Sequence, residues 1–122
     1  MPAKKTPRRI PREDGAELLV RAAIELAKEK PVAKVTVRDI ASRAGLQTMH
    51  VKRYFGSRND LFVAVSNHLM TRIVDALTDK PLDKVFPWLQ RSQEVTLRLR
   101  IISHLIDEGV PPSRFSDDHT VY

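Results

Sequence analysis

Apolar residues in the first part of the chain recur every three or four positions, the spacing of one face of an α-helix. From about Arg12 to Glu29 this spacing is kept by Leu18, Leu19, Ala22, Ala23, Leu26 and Ala27. Pro31 follows, and the residue before a proline is disfavoured in the helical conformation. The pattern therefore predicts a first helix over about 12–29.

Two short helices are predicted next, with a glycine between them. Thr36 is a favourable N-cap and Asp39 supplies a carboxylate to the first turn, so a second helix is expected over about 37–44. Gly45 stands where a helix ends in left-handed backbone, which costs glycine little. A third helix is expected over about 47–54, and the inner face of the pair would be formed by Ile40, Ala41, Ala44, Leu46, Val51 and Phe55.

The remaining apolar positions predict two long helices. Ser57 is a further N-cap, and a fourth helix is expected from there to about Leu77. A last helix is expected over about 83–108, bent near Pro87 because proline removes a backbone donor inside a helix. Its apolar stripe, residues 88–106, is wider than a helix packed on one neighbour requires. No alternating strand pattern appears, so the predicted fold class is all-α.

Charge is unevenly distributed along the 122 residues. The net charge is +6, but residues 1–60 hold 14 Lys and Arg against 7 Asp and Glu, whereas residues 61–122 hold 7 against 8. This asymmetry favours a polyanionic partner for the first half. The first eleven residues are expected to be a disordered basic arm, which is either a solvated tail or a strand that follows phosphates through Lys4, Lys5, Arg8 and Arg9.

Several classes of protein are excluded by what the sequence lacks. It contains no cysteine, which excludes disulfides and thiolate metal sites. No apolar run reaches the roughly 18 residues of a membrane span, and no secretory signal follows the basic N-terminus. The HExxH, P-loop and GxSxG motifs are absent. We expect a cytoplasmic protein that is not an enzyme, with no catalytic or metal-binding residue, no cofactor and no membrane partner.

The segment 40–55 has the spacing of a helix-turn-helix. Such a motif needs a small residue where the two helices cross and a glycine in the turn, and Ala41 and Gly45 satisfy both needs. In this motif the second helix enters the major groove and its first residues meet base edges. The polar outer face of the third helix, from Thr48 to Arg53, would be free to do so. A generic helical hairpin could show the same spacing.

A wider stretch, residues 22–65, resembles the DNA-binding domain of TetR-type (tetracycline-repressor-like) transcriptional regulators. The matching features are the Ala pair at 22–23, Thr36, Ile-Ala at 40–41, Ala-Gly at 44–45, Phe55 and Ser-Arg-Asn-Asp-Leu at 57–61. The resemblance implies a three-helix DNA-binding head joined to a helical regulatory body through helix 4.

The same resemblance implies roles for positions outside the third helix. Thr36 and Arg38, at the start of helix 2, would approach the DNA backbone or a base edge. Arg38 could make a bidentate contact to guanine. Arg58, at the start of helix 4, stands where the family usually has a phosphate-binding lysine.

On the third helix the resemblance implies base contacts near its start and phosphate contacts toward its end. Its candidate DNA-binding residues are Gln47, Thr48, Met49, His50, Lys52, Arg53 and Tyr54. Arg53 could instead be a solvated surface residue, and Tyr54 could serve mainly in packing.

The third helix departs from the family pattern at four positions. The family commonly has serine, glycine, threonine and tyrosine where this chain has Gln47, Met49, His50 and Lys52. Loss of the serine N-cap is expected to cost helix 3 about 1 kcal/mol. The changes are expected to alter which DNA is read, not whether DNA is bound.

These elements predict a three-helix helix-turn-helix head continued by helix 4 and one further long helix. Residues 1–11 would be the basic arm and residues 12–56 the DNA-binding domain. Residues 57–109 would hold the connecting helix and a partial regulatory or dimerisation domain, and residues 110–122 a polar tail.

The function that the resemblance implies is sequence-specific binding of double-stranded DNA by a transcriptional repressor, with helix 3 in the major groove. The resemblance also implies a chain of about twice this length, whose later helices build the effector pocket and the dimer interface. Two heads about one helical turn apart read such operators, so a homodimer is expected if that remaining body is present or replaced. An unidentified small-molecule effector is also implied. The alternative is a helical protein-interaction module pairing through residues 88–106, or a truncated regulator that heterodimerises with full-length relatives.

Overall fold

The structure, a computed structural model, describes residues 12–116. Over this range the chain forms seven α-helices, one 3-10 turn (Val32–Lys34) and no β-strand, so the predicted all-α class is confirmed. The helices are α1 (Arg12–Glu29), α2 (Val37–Ala44), α3 (Thr48–Phe55), α4 (Arg58–Thr78), α5 (Leu82–Arg91), α6 (Gln93–Asp107) and α7 (Ser113–Ser116). None of the helices between residues 12 and 116 combines the length and the apolar character needed to cross a membrane.

Helices α1, α2 and α3 pack against one another, α1 and α3 also pack against α4, and together the first three form the head. Each of the four helices contributes side chains that are almost fully buried, among them Leu19, Ala23, Ile40, Val51 and Phe62. The bounds of α1 and α2 agree with the prediction. Helix α3 begins one residue later than predicted, because Gln47 is its N-cap.

Helix α6 packs along α4 and forms the rest of the core. Its inner face is closed by three almost fully buried side chains, Leu97, Ile101 and Leu105. On the opposite face, Leu99 is 60% exposed and Ile106 is 47% exposed. The wide apolar stripe at residues 88–106 therefore has an inner half that packs and an outer half that stays in solvent.

The prediction of one long helix over 83–108, bent near Pro87, is wrong. The structure has two helices, and the break lies at Ser92. The Ser92 backbone is extended, and its hydroxyl accepts the Val95 N–H at 3.3 Å, so this serine starts α6 as an N-cap. Pro87 lies inside α5, in which no residue is buried.

Part of the predicted polar tail is folded onto the core. Phe115 in α7 is buried, and Arg114 forms a 2.9 Å ion pair with Asp60 at the start of α4. The Asp60 carboxylate thus ties α7 to the start of α4, and its hydrogen bond with Arg114 lowers the pKa of this carboxyl. The predicted basic arm and residues 117–122 lie outside the described residues.

Candidate nucleic-acid interface

The turn between α2 and α3 has the geometry that the sequence predicts. Gly45 adopts left-handed backbone (φ 77°, ψ 25°) and ends α2. The Leu46 N–H then donates to the Ala41 carbonyl at 2.8 Å, which closes the end of the helix. Since Ile40 and Val51 are both buried at the junction of the two helices, the outer face of α3 is left in solvent.

The start of α2 is fixed by reciprocal capping. The Thr36 hydroxyl accepts the Asp39 N–H at 3.0 Å, and the Asp39 carboxylate accepts the Thr36 N–H at 3.3 Å. Lys30 donates to the same carboxylate at 2.9 Å, and this bond is the main reason why the pKa of Asp39 is lowered. Arg38 lies in this fixed first turn with its side chain exposed.

The start of α3 is capped by a histidine instead of the serine that the family favours. Nδ1 of His50 accepts the Gln47 N–H at 3.0 Å. The imidazole therefore supplies part of the capping that the sequence comparison expected to be lost. With Nδ1 as acceptor, the neutral ring carries its proton on Nε2. The ring centroid lies 5.9 Å from that of Tyr54, one turn along the helix.

The outer face of α3 is exposed and positively charged. Its exposed side chains are Thr48, Met49, Lys52 and Arg53. Met49 is 53% exposed, so this face also presents one large apolar side chain. Among the described residues, neither Lys52 nor Arg53 forms an ion pair, and the same holds for Arg38 on α2.

Arg43, on the same helix as Arg38, is by contrast held by two carboxylates of α1. It donates to Glu29 at 2.8 and 2.9 Å and to Glu25 at 3.2 Å. These bonds raise the pKa of Arg43 and lower that of Glu29. Arg43 therefore ties α2 to α1.

Tyr54 is half-buried and packs on α1. A β-carbon at Gly15 would lie 2.7 Å from Cε2 of Tyr54, so the ring rests directly on the glycine. Tyr54 therefore has the packing role that the sequence allowed as an alternative to a DNA contact. A contact of its exposed edge with phosphate stays a prediction.

Arg58 does not present its guanidinium to solvent as a phosphate contact would require. Its Nε donates to the Val35 carbonyl at 2.7 Å, and Nη2 donates to the Val32 carbonyl. Its Nη1 donates to Nε2 of His104 at 2.9 Å, and the guanidinium lies 4.8 Å from the Phe62 ring centroid. We therefore remove Arg58 from the predicted phosphate contacts.

Most of the other candidates lie on the exposed parts of α2 and α3 that the sequence indicated. The capping role of His50 and the inward role of Arg58 were missed. The capping role of His50 could have been found, because this histidine stands three residues after the N-cap position. The contacts of Arg58 leave no signal in the neighbouring sequence. Four candidates, Lys4, Lys5, Arg8 and Arg9, lie outside the described residues.

Comparison with known proteins bears on the same region. The model of the family described as "Bacterial regulatory proteins, tetR family" matches residues 19–65, which hold α2, α3 and the start of α4. Residues 19–65 therefore match a tetR-type regulatory domain. The HTH-type transcriptional repressor Rv3405c of Mycobacterium tuberculosis is 34% identical over 88 residues, 71% of this chain and 47% of that protein.

A second similar protein comes from another bacterium. The HTH-type transcriptional regulator YvdT of Bacillus subtilis is 34% identical over 61 residues, 50% of this chain and 31% of that protein. The chain thus spans about half the length, or less, of these relatives. No solved structure matches it.

Proposed function

We propose that this protein is a sequence-specific DNA-binding transcriptional repressor that inserts α3 into the major groove. The observation that carries the proposal is the outer face of α3, which is exposed, fixed at its start by His50 and free of acidic partners within the described chain. The helix-turn-helix family of residues 19–65 supports it, and so does the name of the Mycobacterium tuberculosis relative.

Readout of bases is assigned to the first turn of α3. Nε2–H of His50 can donate to an acceptor such as guanine N7 or thymine O4, and the exposed Met49 can pack on a thymine methyl. Thr48 can donate to or accept from either kind of base pair. These three side chains would therefore determine which sequence is preferred.

Positioning on the duplex is assigned to the unpaired cations. Lys52 and Arg53 extend from the later part of α3, where they can reach phosphates on either side of the groove. Arg38 in the first turn of α2 can reach the backbone or a guanine edge. Arg43 is excluded from this set, because Glu25 and Glu29 already occupy its guanidinium.

Pairing of two heads is assigned to the outer face of α6. Leu99 and Ile106 are exposed there, and Val95 and Ile102 are half-buried at its edge, Ile102 against the core. The four residues follow one another at intervals of four, three and four, the spacing of a coiled-coil seam. The intervals have the same order whether α6 is followed from its first residue or from its last. In an antiparallel pair of α6 helices, Leu99 would therefore meet Ile102 of the second copy, and Val95 would meet Ile106.

Each part of the chain would have its own role in such a repressor. Residues 12–56 would be the DNA-binding domain and residues 57–109 the connecting and dimerisation part, and a small-molecule effector would act on the latter. A repressor of this kind binds the chromosome, which would place the protein in the cytoplasm.

Selection of bound duplexes from a randomised DNA library tests this function directly. The proposal predicts an enriched palindrome whose half-sites lie about one helical turn apart. Absence of any enriched motif at low salt would contradict sequence-specific binding. The mass of the complex, measured on the same sample, gives the number of chains for each duplex.

A second candidate function, that of a protein-interaction module, is favoured by the exposed apolar face of α6. Such a module would pair with full-length relatives through this face. Light scattering over a range of concentrations tests whether this face pairs. Leu99→Asp should keep the protein monomeric. Leu82→Asp, at a residue of α5 that is 90% exposed, should leave the association of the wild type unchanged. A protein that is monomeric at every concentration and still binds a palindrome would count against this candidate.

A further inference from the structure

The Arg58 side chain joins three separate parts of the molecule. Its helix, α4, connects head and body. Its guanidinium donates to the carbonyls of Val32, the first residue of the 3-10 turn between α1 and α2, and of Val35, the residue that follows this turn. A third donor reaches His104 in the last turn of α6 at 2.9 Å. A single side chain thus contacts the linker of the head and a helix of the body.

The linker carbonyls matter because the next residue starts α2. Val35 directly precedes Thr36, the N-cap of α2, and that cap is fixed in turn by Asp39. A displacement of Val35 would therefore move the first turn of α2, and with it Arg38. Two carbonyls held by one planar guanidinium are a rigid connection, because the fork geometry fixes both bonds together.

The connection also depends on the charge of His104. Nε2 of this ring accepts from Arg58, so it must be unprotonated. Burial and the neighbouring Arg58 lower the pKa of His104, which keeps the ring neutral near pH 7. Protonation would replace the acceptor by a cation 2.9 Å from a second cation.

We propose that Arg58 is a positioning residue for DNA binding, which holds the start of α2 in place through the linker carbonyls and through neutral His104 of α6. This inference rests on the proposed function. Its consequence is that DNA affinity responds to the protonation of a histidine that touches no DNA. The same bond gives α6 a direct mechanical connection to the head.

The surroundings of His104 contain charges of both signs. Asp107 and Glu108 on α6 favour the protonated ring, and Arg58 opposes it. Further charged groups line the cavity beside the ring, namely Lys28, Glu29, Lys30 and Arg100. Glu29 and Lys30 are paired with Arg43 and Asp39, so their net influence is small. Arg58, at hydrogen-bond distance, is the dominant partner.

A positioning role and a phosphate contact give different salt dependences. Removing a phosphate contact lowers the slope of log affinity against log salt by about one. Removing a positioning residue misplaces Arg38 but leaves it on the protein with its charge, so affinity for the selected duplex falls at every salt concentration while the slope on a random-sequence duplex stays unchanged. Arg58→Gln should therefore bind a random-sequence duplex with the wild-type slope, and bind the duplex selected by the wild type at least about fivefold more weakly.

The control for charge is Arg58→Lys, which keeps the cation but cannot hold both carbonyls and His104. It should behave like Arg58→Gln, whereas a phosphate contact would be largely restored by lysine. A slope reduced by about one in Arg58→Gln, together with recovery in Arg58→Lys, overturns the proposal. Circular dichroism of both variants shows whether they are folded.

A second variant tests the histidine without removing Arg58. Gln can place its carbonyl oxygen where Nε2 of His104 lies, and it does not titrate near neutrality. His104→Gln should bind DNA like the wild type at about pH 8 and lose less affinity on acidification to about pH 5. His68→Gln is the matched control, and its profile should follow that of the wild type. Identical profiles for His104→Gln and the wild type would refute the link.

One measurement needs no DNA and separates this inference from the proposed function. The NMR titration of the His104 ring should show a higher pKa in Arg58→Gln than in the wild type, because a neighbouring cation is gone. An unchanged His104 titration refutes the link even if DNA binding is found. A wild-type protein that binds no DNA refutes the proposed function and the positioning role, even if the titration shifts.

Discussion

The ring of Tyr54 rests on Gly15, with 2.7 Å between its Cε2 atom and the place where a β-carbon of residue 15 would lie. This contact holds α3 close to α1, on the same face of α3 as the buried Val51, three residues earlier. A larger residue at 15 must push the ring away, so Gly15→Val should destabilise the fold by about 1–3 kcal/mol. Urea unfolding measures the loss.

A double variant separates the ring contact from other effects of valine. In a Tyr54→Ala background the obstacle is absent, and the Gly15→Val penalty should shrink by about 0.5–3 kcal/mol. An equal penalty in both backgrounds would show that the ring is not what limits residue 15.

Local signals allowed the head to be predicted from sequence. An N-cap with a carboxylate three residues later marks α2 through Thr36 and Asp39, and a glycine marks its end at Gly45. Each of these signals lies within one helical turn of the feature that it predicts. Because the apolar positions of α3 were assigned to its inner face, its remaining residues were predicted to face outward.

Features that depend on distant partners were not predicted. Arg58 contacts His104 46 residues away, and its other acceptors are backbone carbonyls, which have no side-chain signature. The break at Ser92 was missed because Pro87 is the stronger local signal, although the serine cap decides where α6 begins. The burial of Phe115 was hidden by the polar residues around it.

Phe115 provides a test of how α7 contributes to stability. It is buried against the core although it lies in a segment that the sequence describes as a polar tail. Phe115→Ala should therefore lower the free energy of unfolding by about 3–5 kcal/mol. The neighbouring Arg114→Gln, which removes only a partly exposed ion pair, should cost at most about 1 kcal/mol. Equal costs for the two variants would show that α7 does not close the core.

The histidines predict how stability depends on pH. Burial, with a smaller effect of Arg72, lowers the pKa of His68, and burial with Arg58 lowers that of His104. The unfolded chain therefore takes up protons at a higher pH than the folded protein does, so acid favours unfolding. Stability should be complete above the ordinary histidine value of 6.5 and decline as pH falls through it.

Urea unfolding at a series of pH values checks this dependence. The double variant His68→Gln, His104→Gln should show a flatter profile between about pH 7 and pH 5. A second decline, below about pH 4, should remain in both proteins, because Asp39 and Asp60 have lowered pKa values and lose their bonds only there. A wild-type protein that gains stability between pH 7 and pH 5 would contradict the assignment.

His50 and Lys52 should have distinguishable effects on DNA binding. His50→Ala removes the proposed base donor and the bond that His50 accepts from the Gln47 N–H, so the preferred sequence should change. Lys52→Gln removes a proposed phosphate contact, so it should weaken binding to all sequences alike and lower the salt slope by about one. Library selection and salt titration of the two variants measure both effects. A change of preferred sequence in Lys52→Gln alone would reverse the assignment of the two residues.

The central claim, that the exposed cations of α2 and α3 bind DNA phosphates, is tested most directly by the salt dependence of DNA affinity. For one head with three contacts, affinity for a random-sequence duplex should fall roughly 40-fold between about 50 and 200 mM salt. Arg38→Gln should reduce the slope by about one, whereas Arg43→Gln should not, because Glu25 and Glu29 already hold that guanidinium. A flat salt response of the wild type, or equal slopes for Arg38→Gln and the wild type, would contradict the claim.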